Sequence, residues 1–177
     1  MKTAKILQSL FIITAYFILL LSQISHADIS AKERENIEKA IPTNAFAEPA
    51  QPRKILVMNL HVRNGEVGYG HESVPHGNLA FELMGKKTGA YEIVFSNDTL
   101  MFKKENLDQF DAICFLNTAG VLCNDPSLRM NILDFVSQGG GFIGIHAAAA
   151  TFVQWPEYWQ FPARSEERRV GKECATG

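Results

Sequence analysis

Ala112-Ile-Cys-Phe-Leu116, Pro126-Ser-Leu-Arg-Met-Asn-Ile-Leu-Asp-Phe-Val-Ser-Gln138 and Gly139-Gly-Gly-Phe-Ile-Gly-Ile-His146 are the residues whose reading decides the fold. The first is wholly apolar, without the alternation of a half-exposed strand, and so reads as a strand buried on both faces. The second carries Leu128, Ile132, Phe135 and Val136 at i, i+4, i+7 and i+8, the stripe of an amphipathic helix, with Pro126 suited to its first turn. Three glycines end that helix, and Phe142 to His146 is a further strand. Two such strands joined through a helix fit a βαβ unit with parallel strands.

The same alternation continues toward the N-terminus. Lys54 to Leu60 is a short apolar strand, followed by a glycine-rich loop from His61 to Ser73. Ser73-Val74-Pro75 starts a helix whose stripe is Leu79, Ala80, Leu83 and Met84 and which Gly85 or Gly89 closes. Tyr91 to Phe95 is a second strand and Lys103 to Phe110 a short helical turn. Right-handed crossovers place helices on both faces of such a sheet. The expected class is therefore α/β, a flavodoxin-like three-layer sandwich around a parallel sheet, and only the first part of one.

Three stretches are set aside from the fold. Residues 1–27 have a basic start (Lys2, Lys5), an apolar run from Leu10 to Leu21 and a small-x-small end at Ser25-His26-Ala27. The run is shorter than the ~20 residues that cross a bilayer as a helix. A signal peptide cut after Ala27 is expected, with a periplasmic or secreted product that meets the membrane only through that peptide. Residues 28–53, with a charged stretch from Lys32 to Lys39 and prolines at 42, 49 and 52, read as a linker or arm. In residues 164–177, RSEERRVGKEC (Arg164 to Cys174) resembles the reading-frame translation of a common sequencing adapter. The domain proper is thus expected over 54–163, interrupted at about Ala163, and a half sheet with an unpaired edge is expected to be inactive by itself.

Without those ends, six of the 17 basic and three of the 19 acidic residues drop out, leaving a net charge of about −5. That balance argues against non-specific nucleic-acid binding. Cys114 lies in an apolar strand and Cys123 in the loop after it; their spacing matches no metal or redox motif.

In open parallel sheets, ligands bind at the carboxyl ends of the strands. His61, Arg63, Glu66, Tyr69, His71, Glu72 and Ser73 follow the first strand; Ser96, Asn97 and Asp98 follow the second; Asn117 and Thr118 follow the third; His146 ends the fourth. The loop of 61–73 exceeds the ~2–6 residues usual for such a connection, and unusually long loops are often functional. Its Gly68-Tyr69-Gly70 lacks the full glycine fingerprint and the lysine of a phosphate cradle. His146 occupies a strand-to-helix corner before Ala147 to Ala150, with no serine or cysteine there to act as a nucleophile. Two readings of His146 stand side by side: a site residue partnered by His71 as general base or metal ligand, and a buried histidine bonded to backbone. Trp155, Tyr158 and Trp159 are available to stack a sugar ring or to pack a core.

Lys54-Ile-Leu-Val, Gly70-His-Glu-Ser-Val-Pro75, Asn106-Leu-Asp-Gln-Phe-Asp-Ala112, Gly139-Gly-Gly-Phe-Ile-Gly-Ile-His-Ala-Ala148 and Trp155-Pro156 together resemble the ThuA-like domain. The resemblance implies a fold similar to class I glutamine amidotransferases without their cysteine nucleophile. It also implies a place in the catabolism of trehalose and related sugars, with a small-molecule carbohydrate as partner. His71 and His146 are then the candidate catalytic residues, and Tyr69, Glu72, Asn117, Thr118 and Trp155 the candidate substrate-binding residues. No metal-ligand set is assigned, the cofactor is unknown, and oligomeric state is open. Family members commonly carry an acidic or amide residue about where Ala149 and Ala150 stand here. The alternative to a carbohydrate-active enzyme is therefore a non-catalytic sugar- or partner-binding module, and the question of catalysis stays open.

Overall fold

The computed structural model describes residues 29–47, 49–68 and 70–158. Strands β1 (Lys54–Met58), β4 (Glu92–Phe95), β5 (Ala112–Leu116) and β6 (Gly141–Ile145) form one sheet in the order β4-β1-β5-β6. Every pairing in it is parallel, with Leu56 opposite both Val94 and Ile113, and Cys114 opposite Ile143. Counted by sheet strand, this is the second-first-third-fourth order with which a flavodoxin-like fold begins. The chain reverses direction across the sheet at β1, so the switch point lies between the carboxyl ends of β1 and β5.

Strand alternation divides the core in two. Leu56, Met58, Ile113 and Phe115 face one side, where Phe102, Leu107, Leu128, Ile132, Phe152 and Tyr158 cover them. Ile55, Val57, Cys114 and Leu116 face the other, against Phe81, Tyr91 and Ile143. Each such fully buried side chain contributes about 1.5–3 kcal/mol by leaving water, which is why the doubly buried β1 and β5 take the centre. The helices are α1 (Ala31–Ala40), α2 (Val74–Thr88), α3 (Lys104–Leu107) and α4 (Pro126–Ser137). Helix α2 ends at Gly89, φ 65°. Helix α4 begins at Asp125, whose side chain accepts from the Ser127 amide.

Three local features depart from the sequence reading. The stretch read as a linker or arm contains α1, whose Ser30 and Glu33 form a reciprocal capping box. None of its residues is buried; it meets α2 through Glu33–His76 (3.3 Å) and a Lys87 Nζ bond to the Glu38 carbonyl (2.8 Å). The single turn expected at 103–110 is two: a 3₁₀ turn, Thr99–Phe102, and α3, because Asp98 caps Leu100 and starts the chain turning early. Finally, the loop after β1 contains a small hairpin, β2 (Val62–Arg63) with β3 (Glu66–Val67). Asn64 and Gly65 make its turn at φ 54° and 83°, the positive pair that a two-residue hairpin needs.

Candidate functional site

Beyond their last paired residues, the strands stay stitched together. Val62 N–H donates to the Ala119 carbonyl (2.9 Å), Ala119 N–H to Leu60 (3.2 Å), and Gly120 N–H to Ala150 (3.0 Å). These bonds carry the chain segments after β1, β5 and β6 onto one edge, at the switch point. There His61, Gly70, His71, Glu72 and Ser73 line an open cleft of ≈ 470 Å³.

His71 and His146 meet at this edge. Their rings stand edge to face, centroids 4.7 Å apart and planes 70° apart. Both residues are exposed, so His146 is not the backbone-bonded buried histidine of the alternative reading. His146 has φ 51°, a left-handed conformation uncommon outside glycine, and it opens the 3₁₀ turn His146–Ala150. Backbone held in such a region is found preferentially at functional sites. No carboxylate is paired with either imidazole among the described residues, and none there form a cluster of three or more His, Cys, Asp or Glu that could hold a metal. Ala149 and Ala150 are exposed beside His146.

The other predicted residues divide. Glu72 lines the cleft beside His71. Asn117 is buried, and its Nδ2 donates to Ser73 Oγ (3.1 Å), which links it to the cleft wall without opening it to solvent. Thr118 points inward: it is fully buried and its hydroxyl bonds to that of Thr151 at 2.7 Å. Trp155 is in the core, its ring packed on Phe152 and Tyr158 with the Arg129 guanidinium 5.7 Å from its centroid. The physical reason is the 3₁₀ turn, which folds 151–158 back over Phe115 and Phe142, where an indole gains more by burial than by facing water. Tyr69 lies outside the described residues. Asp98, Asn97 and Ser96 serve as local caps and links, Asn97 Oδ1 accepting from the Asn59 amide at 2.8 Å.

Two residues that the sequence placed at this edge without a role belong to the site. Ser73 bonds to Asn117, and His61 presents a buried Nδ1 with no hydrogen-bond partner among the described residues, packed where a β-carbon on Gly68 would lie 3.4 Å from it. The signal for His61 was its place directly after the central strand.

The family model for ThuA, described as trehalose utilisation, matches residues 59–168. The chain belongs to the ThuA family. The match spans both histidines and all five cleft-lining residues, so the cleft lies within the ThuA-family region. Among solved structures the chain is similar to a protein described as ThuA-like from Bacteroides uniformis ATCC 8492, at 23% identity and a TM-score of 0.48. That likeness covers 67% of this chain and 47% of the other, so the chain spans less than half the length of that relative. No curated protein matches.

Proposed function

We propose that this ThuA-family chain is exported and acts on a carbohydrate, trehalose or a related keto-sugar, at the switch-point cleft. The observation that carries the reading is the exposed His71–His146 pair beside that cleft. Two imidazoles at this separation suit acid–base work on a polyhydroxylated ligand. One accepts a proton from a hydroxyl, or from the carbon beside a keto group, while the other donates to the oxygen that gains charge. Glu72 adds an acceptor for sugar hydroxyls at the wall, which His61 also lines. Export rests on the basic start, apolar run and small-x-small end of residues 1–27.

Binding is tested by titrating the full chain with trehalose and with a keto-disaccharide while following the imidazole signals by NMR. Saturable shifts at His71 and His146, abolished in His71→Ala, are expected. Absence of any shift with either sugar overturns the assignment of the cleft.

A non-catalytic binding module is the second reading, favoured by Ala149 and Ala150 beside His146 and by the lack of a carboxylate partner for either ring among the described residues. Product analysis separates the two. Conversion of a bound sugar supports catalysis, and saturable binding with unchanged sugar supports the module.

A further inference from the structure

Asn117 bonds to both histidine-bearing segments at once. Its backbone N–H donates to the carbonyl of Ile145, the residue before His146, at 3.2 Å. Its side-chain Nδ2 donates to Ser73 Oγ at 3.1 Å. Ser73 in turn is held to His71 by a tight turn that the Val74 N–H closes on the His71 carbonyl at 3.0 Å. We infer that Asn117 is a positioning residue that sets the separation and mutual tilt of His71 and His146.

Four details support a clamp over a ligand contact. Asn117 is only 3% exposed, so it offers no surface to a sugar. It stands at φ 59°, a conformation asparagine tolerates better than most residues, and this turns the chain out of β5 at the point where both bonds are made. Its Oδ1 is buried without a partner among the described residues, so the side chain is held there although only part of its bonding capacity is met. Ser73 occupies the N-cap position of α2, yet its side chain makes no capping bond, and its hydroxyl is taken by Asn117.

The inference rests on the histidine pair being the site, but its test needs no ligand. The nuclear Overhauser contact between the His71 and His146 rings is measured on the full chain, with Asn117→Gly, Ser73→Ala and Ser73→Thr compared. Glycine accepts φ 59° without strain, so that variant removes the side chain and its bond to Ser73 while keeping the backbone bond to Ile145. Because Ser73 does not cap α2, Ser73→Ala leaves the helix intact and carries the test alone should Asn117→Gly not fold. Loss of the ring–ring contact in Ser73→Ala and Asn117→Gly is expected, with the contact restored in Ser73→Thr, which keeps the hydroxyl. A contact that persists in Ser73→Ala, or that is absent from the unsubstituted chain, overturns the clamp. A ring–ring contact that depends on Asn117 while no sugar shifts either ring upholds the clamp and removes the carbohydrate reading instead.

Discussion

Gly120 passes so close to Val62 that a β-carbon on it would lie 1.9 Å from the Val62 carbonyl oxygen. The obstacle is backbone, not the end of a flexible side chain. Gly120 also has φ 79°, and it sits where the segments after β1, β5 and β6 are tied together, its N–H on the Ala150 carbonyl and its carbonyl on the Phe152 N–H.

Gly120→Ala is therefore expected to cost about 3–5 kcal/mol, since left-handed strain and a backbone collision act together. Gly65→Ala is the control: φ is 83° there, but nothing lies within 4 Å of the added carbon. Strain alone should cost about 1–2 kcal/mol. Urea unfolding of the two variants measures the difference. Equal losses would mean that the approach to Val62 is not tight in solution.

Helix α1 should respond to acid before the sheet does. Glu33 is held well below its ordinary value of 4.5, at about 2, first by the Ser30 hydroxyl, then by the Ser30 amide and by His76. Its folded value is depressed, so the stabilisation is fully present above pH 4.5 and is lost as pH falls toward about 2. Loss of helical signal from residues 31–40 in that window, with the signals of β1 and β5 unchanged, is the expected NMR result. Ser30→Ala should move the transition up in pH. A midpoint that ignores Ser30→Ala would place the cause outside the capping box.

Burial silences both cysteines of the sheet domain. Cys114 is pushed up to about 12, and Cys123 to about 11, in each case chiefly by desolvation of the thiolate. They belong to clusters on opposite faces of the sheet, so they are not placed to pair. In a Cys174→Ser background, alkylation of Cys123 at pH 8 should be about 100-fold slower in the folded chain than in urea, with Cys114 slower still. Mass spectrometry of timed quenches reads both sites. Rapid labelling of Cys123 under native conditions would show that the loop over it opens.

The parts of this fold that were legible in the sequence are those where burial dictates residue type. Ile55 to Met58 and Ile113 to Leu116 are apolar without interruption because both faces are covered, and the strand bounds at β5 agree with the reading to the residue. The capping box of α1 was also written in the chain, as Ser30-Ala-Lys-Glu33, but the surrounding charge and prolines weighed toward an arm. Asn64-Gly65 between Val62 and Val67 is likewise a hairpin signal inside what reads as a loop. At the site, sheet topology was enough to bring His71, Glu72 and His146 to one edge. The directions of Thr118 and Trp155 were not legible, because they depend on how the chain turns after β5 and β6, and no period of 2 or 3.6 governs those few residues. Asn117 was legible as a site neighbour, but its two bonds need the Ser73 turn and Ile145 in place together.

Trp155 supplies the sharpest separation between packing and recognition. An indole stacked 6.1 Å from Tyr158, set edge-on to Phe152 at 5.3 Å and 9% exposed has its faces committed to the core. Trp155→Ala should then cost about 3–5 kcal/mol, the usual range for emptying a large aromatic site. Trp155→Phe, which keeps most of the apolar volume, should cost about 1–2 kcal/mol. Neither should change the sugar response that the proposed function predicts, measured where the variant is still folded. The arrangement with Arg129, 5.7 Å from the indole centroid, makes the expectation specific: Arg129→Met should weaken stability modestly and leave the cleft untouched. The result that reverses this is a Trp155→Phe variant of normal stability whose sugar response at His71 and His146 has disappeared. It would return the indole to the ligand and require residues 151–158 to leave the sheet when a sugar binds.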